Sequence, residues 1–223
     1  ASNPTPKEMN EADMEDVLND FVMAAARADK AGFDMLELHC AHGYLLNTFI
    51  SPKTNIRSDD YGGSLENRLR YPLKVFETIR EKWPEQKPIS VRISATDWIE
   101  EGITPQDAVE IARAFKNIGC DILDVSSGQV VSEEKPEYGR LFQLPFSDRI
   151  RLEAEIPTMT VGNIQSYADA NSIIASGRGD ICVIARMHLF DPYWTRHAAN
   201  QLNYHLNMPN QYKSVQNYTP RWT

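Results

Sequence analysis

The sequence lacks three features that would assign it to a specialised class of protein. Its three cysteines, Cys40, Cys120 and Cys182, are widely spaced and form none of the close pairs found in zinc ribbons or redox dithiols. It contains no run of about 18 apolar residues, and its first residues do not have the pattern of a signal peptide. We therefore expect a cytoplasmic protein with reduced thiols and no membrane span, in which Cys40 is a packing residue.

Positive charge is also scarce. Lysine and arginine total 23 residues against 31 aspartates and glutamates, which gives a net charge of −8. Neither nucleic acid nor an anionic membrane surface is an expected partner for such a chain. The length of 223 residues allows one domain with a sizeable core, and no linker or low-complexity segment divides it. Residues 1–223 are therefore predicted to form a single unit.

Short apolar segments alternate with segments of helical periodicity along the chain. Five strands are predicted, with carboxyl ends near His39, Arg92, Val125, Val161 and Ala185. Helices are predicted at 13–31, 64–83, 104–118, 145–153, 165–176 and 191–202, with Ser64 and Thr104 as amino-terminal caps. This alternation predicts an α/β fold with a parallel sheet.

Three side chains with useful chemistry follow the first strand. His39, His42 and Tyr44 come where the chain leaves the strand, which is the end at which parallel α/β folds place their chemistry. Two imidazoles can donate hydrogen bonds to a carbonyl or phenolate oxygen, and a tyrosine can supply a proton. Structural histidines are an alternative. So is zinc, but a zinc site needs three or four ligands and the other histidines lie far along the chain, so no metal is predicted.

The rest of this segment is more specific. From His39 to Arg70 the chain reads HxxHGYLxxxFxSPxxNxRxDxYGGSxENRxR, which resembles the signature of the old yellow enzyme family. The resemblance implies an FMN-dependent ene-reductase built on a (β/α)₈ TIM barrel. It implies that His39 and His42 bind the oxygen of the substrate's electron-withdrawing group and that Tyr44 is the proton donor. Polar residues in the loop that follows are interpreted as supports of that loop: Arg57, Asp59, Asp60 and Asn67.

The number of strands is smaller than this resemblance requires. A complete barrel has eight strands in about 250 residues, whereas five are predicted here. Set against the family, the five resemble strands four to eight. We therefore expect the carboxyl-terminal part of a TIM barrel, with both sheet edges exposed, within a larger protein.

The resemblance also implies a flavin site at the strand ends. Arg92 would lie beside the flavin pyrimidine, although a buried salt bridge is an equally good interpretation of the residue alone. Gly162, Asn163, Ala185 and Arg186 follow the last two strands, where TIM barrels often bind phosphate. Family members often have glycine where this chain has Ala185. FMN is the expected cofactor and NAD(P)H the expected reductant.

Later segments of the chain indicate which members of the family it resembles most. SVRISATDWIEEGIT, DVSSGQVV and YGRLFQLPFSDRIR are similar to the reductase half of bifunctional enzymes acting on 2-aminobenzoyl-CoA or salicylyl-CoA. The implied substrate is an activated alkene or an aryl-CoA compound. The implied partners are an amino-terminal barrel half or a monooxygenase domain of the same protein, and a second copy in a homo-oligomer. A non-catalytic scaffold that keeps these residues as relics is the alternative.

Overall fold

The computed structural model describes residues 6–216 and residue 218. Its centre is one sheet of five parallel strands in the sequential order β1-β2-β3-β4-β5. The strands are β1 Leu36–Cys40, β2 Ile89–Ser94, β3 Ile122–Ser126, β4 Thr158–Thr160 and β5 Ile181–Cys182. The predicted parallel sheet is confirmed, and its first four strands end within two residues of the predicted positions.

The fifth strand is shorter than predicted. Residues 180–185 were expected to be extended as far as Ala185, but β5 contains only Ile181 and Cys182. It lies at the sheet edge and pairs only with β4, which has three residues, so the ladder stops at the pair Thr160↔Cys182. Apolar composition cannot reveal how short the neighbouring strand is. Arg186, which was expected to follow directly on the strand, begins a helix.

Helices precede and follow the strands. They are α1 Glu11–Lys30, α2 Leu45–Ile50, α3 Leu65–Lys82, α4 Pro105–Asn117, α5 Leu144–Glu153, α6 Tyr167–Ala175, α7 Arg186–Phe190 and α8 Trp194–Gln201, with a 3₁₀ helix at Asn210–Val215. The predicted caps are confirmed, because Ser64 and Thr104 each accept a hydrogen bond from the backbone N–H three residues on. Within the described residues, no helix is both long and apolar enough to cross a bilayer.

Two features of the helices differ from the prediction. The helix predicted at 191–202 begins only at Trp194, as α8, and a short helix that was not predicted, α7, precedes it. The chain turns between the two at Asp191, whose extended backbone (ψ 93°) suits a residue that precedes proline. Helix α2 was not predicted. It has only six residues, too few to show helical periodicity, and Tyr44 at its amino terminus makes no side-chain cap.

The two faces of the sheet have opposite character, as the alternation of side chains along a strand requires. Leu38, Val91 and Leu123 are register neighbours, each no more than 4% exposed, and they belong to the core formed with the helices. The intervening residues form a polar row in which His39 pairs with Arg92, and Arg92 with Asp124. The functional side chains therefore lie on the sheet face opposite the helices.

The prediction for Cys40 is confirmed. Its side chain is fully buried in the apolar core, and burial raises the pKa of its thiol well above the usual value. A protonated, inaccessible thiol is a packing group rather than a nucleophile.

Candidate active site

A cleft of about 840 Å³ opens at the carboxyl ends of the strands. This volume lies within the range that small-molecule and cofactor sites occupy. Six of the eight predicted site residues line it: His42, Arg92, Gly162, Asn163, Ala185 and Arg186. The parallel strands thus bring together residues that are up to 144 positions apart in the sequence, the interval from 42 to 186.

The other two predicted residues, His39 and Tyr44, are not among the residues that line the cleft, but His39 contacts His42, which does, and Tyr44 contacts His39. The ring of His39 lies 5.3 Å from that of His42 in an edge-to-face arrangement, and 5.0 Å from the ring of Tyr44. Tyr44 is 63% exposed. The three rings therefore form one contiguous group beside the cleft, and Tyr44 is its solvent-facing member.

The turn between β1 and α2 holds His42 in place. His42 has a positive φ of 60°, and its backbone N–H donates to Oγ of Ser94, 3.0 Å away. Ser94 in turn donates to the carbonyl oxygen of Gly128. Gly43 also has a positive φ, and a Cβ at this position would lie 2.9 Å from the carbonyl oxygen of Gln129. Glycine is needed here because the loop after β3 passes so close to the turn.

Both histidines favour the neutral form. Burial and the nearby guanidinium of Arg92 lower the pKa of His42 to about 4, with a smaller contribution from His39. The same two main causes lower the pKa of His39, partly offset by Glu37. Neutral imidazoles can each donate one N–H, which suits binding of a ligand oxygen near neutral pH.

Of the two sequence-based interpretations of Arg92, the structure shows the salt bridge, and the flavin contact stays a prediction. Arg92 lines the cleft, and its Nε lies 3.4 Å from a carboxylate oxygen of Asp124, which is 3% exposed as a residue. The guanidinium also donates to Oγ of Ser126 at 3.3 Å. Sequence reasoning missed Asp124, although an acidic residue in the middle of the apolar segment DILDV was an available signal.

The ends of β4 and β5 form the other end of the cleft. Gly162 has φ 120° and Asn163 has φ 56°, and the latter's side-chain amide donates to the carbonyl oxygen of Gly139. Gln143 supports this turn by donating to the carbonyl oxygen of Val161. Arg186 is exposed and has no acidic side chain within 4 Å among the described residues.

This donor set fits a phosphate group. Backbone N–H groups in a turn with positive φ, together with an arginine that has no carboxylate partner, are the groups that bind phosphate oxygens. Arg92 supplies a second cation from β2, which the strand order separates from the end of β5 where Arg186 lies. A ligand with a phosphate at one end and an electron-rich ring at the other therefore matches the chemistry of the residues present.

Sequence reasoning missed the aromatic side of the cleft. No functional residue was predicted in residues 129–143, yet Tyr138 and Phe142 line the cleft and pack edge to face at 5.3 Å. Trp98 and Phe190 add two more aromatic rings. The available signal was the density of aromatic residues in this loop and in the segment after β5.

The loop supports predicted between α2 and α3 are confirmed. Arg57 pairs with Asp59, and the side-chain amide of Asn67 donates to the carbonyl oxygen of Gly62. Arg70 donates to the backbone carbonyl of Asp60, so Asp60 contributes through its main chain.

Among the described residues, no group of three histidine, cysteine, aspartate or glutamate side chains is placed to hold a metal ion.

Comparison with known proteins identifies the family. Residues 1–205 match the model of the NADH:flavin oxidoreductase / NADH oxidase family. The chain belongs to this family. The resemblance to old yellow enzymes drawn from residues 39–70 is thereby confirmed.

Relatives within the family include two NADPH dehydrogenases. The chain is 45% identical to that of Geobacillus thermodenitrificans over 212 residues, which cover 95% of this chain and 62% of the relative. It is 39% identical to that of Bacillus subtilis over 209 residues, covering 94% and 61%. The chain thus spans about three fifths of the length of these relatives.

Solved structures with the same fold include two reductases. A 2-naphthoyl-CoA reductase in complex with 2-naphthoyl-CoA superposes with a TM-score of 0.81 at 27% identity, covering 87% of this chain and 30% of that one. Morphinone reductase superposes with a TM-score of 0.74 at 25% identity, covering 94% and 55%. The five-stranded sheet is consistent with part of a TIM barrel.

Proposed function

We propose that this chain carries the FMN-binding and substrate-binding residues of an NAD(P)H oxidoreductase that reduces an activated C=C bond. The observation that carries the proposal is the arrangement of the cleft, in which His42 and Arg92 come from β1 and β2 at one side of the sheet, whereas the phosphate-type donor set follows β4 and β5 at the other side. The family membership and the names of the relatives support the flavin- and NADPH-dependent part of the proposal.

The cofactor fits the residues present. Arg186 and the backbone N–H groups at Gly162, Asn163 and Ala185 would hold the phosphate of FMN, and Arg92 would face the pyrimidine ring. Bound FMN would supply the hydride-transfer chemistry that couples oxidation of NAD(P)H to reduction of the alkene. The positive charge of Arg92 would stabilise negative charge on a ring bound beside it.

The chain's own residues supply the remaining chemistry. His39 and His42 would donate hydrogen bonds to the carbonyl oxygen of the substrate, and these bonds strengthen as negative charge develops on that oxygen. Tyr44 would donate a proton to the α-carbon. Its exposure and its contact with His39 are compatible with a donor at the mouth of the site.

A finer proposal concerns the substrate class, an aryl-CoA compound or a related activated alkene. Three observations favour it: the sequence segments similar to aryl-CoA reductase halves, the likeness to 2-naphthoyl-CoA reductase, and the aromatic side of the cleft. Tyr138, Phe142 and Trp98 can stack against an aryl group.

We also propose that residues 1–223 form one unit equivalent to strands four to eight of the family's barrel. The sequential order of five parallel strands and the 55% coverage of morphinone reductase support this correspondence. In the whole protein, three further strands would then complete the barrel and contribute the remaining flavin contacts.

The test is a sequence of two measurements on the purified full-length protein, because part of the flavin site is proposed to lie outside residues 1–223. Titration with FMN, followed by quenching of flavin fluorescence, should show saturable binding, and the complex should be yellow. Anaerobic reduction by NADPH or NADH, followed by mixing with 2-cyclohexen-1-one, should then reoxidise the flavin. A protein that takes up no FMN would favour the scaffold alternative, and a bound flavin that the alkene cannot reoxidise would contradict the proposed reaction.

A further inference from the structure

A chain of four polar side chains crosses the sheet from Asp124 to the histidine in the cleft. Asp124 contacts Arg92, whose Nη2 donates to Oγ of Ser126 at 3.3 Å. The same Oγ lies 2.8 Å from Nε2 of His42. Ser126 lines the cleft but is only 3% exposed, so its hydroxyl group favours hydrogen-bond partners within the protein.

The donors and acceptors of this chain determine where its hydrogens lie. A guanidinium has no acceptor atom, so Arg92 must donate and Ser126 must accept. The hydroxyl hydrogen of Ser126 is then left to find an acceptor, and Nε2 of His42 is the one within hydrogen-bond distance among the described residues. If Nε2 carried its own hydrogen instead, Ser126 would hold a buried hydroxyl hydrogen without an acceptor, which is unfavourable.

A neutral imidazole carries its hydrogen on one nitrogen only. With Nε2 as acceptor, that hydrogen lies on Nδ1, which makes no hydrogen bond to any described residue. We propose that Ser126 fixes His42 as the tautomer protonated at Nδ1, so that Nδ1–H is the donor that His42 presents to the substrate oxygen. Ser126 is then a positioning residue, and the part of the inference that concerns substrate rests on the proposed function.

The neighbouring histidine has no comparable partner. Nδ1 of His39 is buried and makes no hydrogen bond within the described part of the chain. The structure therefore gives the two rings different roles, since only His42 is locked by a hydroxyl group. This difference makes His42 the ring whose tautomer a single substitution should change.

The tautomer can be measured directly, without FMN or substrate. In protein labelled with ¹⁵N in its histidines, two-dimensional correlation of ring nitrogens with ring hydrogens distinguishes the protonated nitrogen from the unprotonated one. His42→Gln identifies the signals of His42 by their loss. We expect the wild type near neutral pH to show Nδ1 protonated and Nε2 unprotonated; a ring protonated at Nε2 would overturn the proposal.

Three variants of the serines test the cause. Ser126→Ala should convert His42 to a mixture of tautomers, and Ser126→Thr, which keeps the hydroxyl group, should restore the Nδ1 form. Ser127→Ala is the matched control, because the buried hydroxyl of Ser127 donates to Gln143 and does not contact His42. Unchanged His42 signals in Ser126→Ala would show that another group sets the tautomer and would overturn the proposal.

Binding of 4-nitrophenol to the FMN-loaded protein tests the consequence. Ser126→Ala should weaken binding by about threefold to tenfold, the effect of one hydrogen bond, and Ser126→Thr should recover it. Equal affinities in wild type and Ser126→Ala would overturn the substrate part of the proposal. If the wild type shows the Nδ1 tautomer but binds no 4-nitrophenol, the role of Ser126 is supported and the proposed function is contradicted, so the two failures are distinguishable.

Discussion

Asp124 and Arg92 face each other across adjacent strands, with a carboxylate oxygen 3.4 Å from Nε. Although Arg92 favours ionisation, burial outweighs it, and the negative charge of Glu37 acts in the same direction as burial. Together they raise the pKa of Asp124 to about 6. Its second carboxylate oxygen has no hydrogen-bond partner in the described residues. The net charge of the pair therefore changes near pH 6, as Asp124 gains or loses its proton.

The first prediction concerns this carboxylate. Because folded Asp124 keeps its proton to a higher pH than the unfolded chain, whose aspartates titrate near 3.8, the native state loses stability as pH rises from about 4 to 6. A shift of this size corresponds to about 3 kcal/mol. Asp124→Asn removes this loss. The free energy of unfolding of the variant, relative to wild type, should therefore increase with pH across this range.

The second prediction is the opposite trend for His42. Its pKa of about 4 lies below the usual 6.5, so the unfolded chain binds a proton that the folded protein does not. The native state therefore loses stability as pH falls from about 6.5 to 4, by at most about 3 kcal/mol because the ring is only partly buried. In His42→Gln, the free energy of unfolding relative to wild type should increase as pH falls.

Urea unfolding between pH 4 and pH 7 measures both effects. Asp16→Asn is the matched control for the loss of a carboxylate, because Asp16 lies on the exposed side of α1. In the wild type the two contributions oppose each other over nearly the same pH range, so each becomes visible only in the variant. If the unfolding free energies of Asp124→Asn and wild type depended on pH in the same way, the raised pKa of Asp124 would be contradicted. The same result for His42→Gln and wild type would contradict the lowered pKa of His42.

The sequence predicts most of the fold because two local signals repeat along it. Apolar segments locate the strands, and caps such as Ser64 and Thr104 locate the helix starts within one residue. The sequence could not predict features that depend on the length of an element or on the strand beside it. The length of β5 is set by the three residues of β4, and α2 is too short to have a period of its own.

The candidate site was predictable to a similar extent. His42, Arg92 and Arg186 could be predicted from a motif or from their place after a strand, and the cleft brings them together. The side-chain contacts within the site could not be predicted from the sequence. The Ser126 bridge and the Asp124 pair join residues on different elements, and only the sheet register sets such distances.

The third prediction concerns cofactor affinity. Arg186→Ala should weaken FMN binding by roughly 1.5–3 kcal/mol, since a charge-assisted hydrogen bond to the phosphate is lost. Fluorescence titration of FMN measures the change. Arg149→Ala is the control, because Arg149 lies in a surface ion pair with Glu153 on α5. Equal dissociation constants for Arg186→Ala and wild type would place the phosphate elsewhere in the cleft.

The fourth prediction separates Tyr44 from the histidine pair. Tyr44→Phe keeps the ring that packs on His39 and removes only the hydroxyl group. Substrate binding should therefore persist, while reoxidation of the reduced flavin by an activated alkene should slow by roughly 10²–10⁴-fold, the usual contribution of a general acid. His42→Ala should instead raise the KM for the alkene, because a donor to the substrate oxygen is lost.

Stopped-flow traces with two different oxidants decide whether Tyr44 acts as a proton donor. Reoxidation by a quinone requires no protonation of carbon, so it should proceed at the wild-type rate in Tyr44→Phe. The same comparison made with His42→Ala provides a reference in which substrate binding, rather than proton donation, is impaired. If Tyr44→Phe slowed the alkene and the quinone reactions equally, the hydroxyl group would have a structural role at the start of α2, and the assignment of Tyr44 as the acid would be wrong.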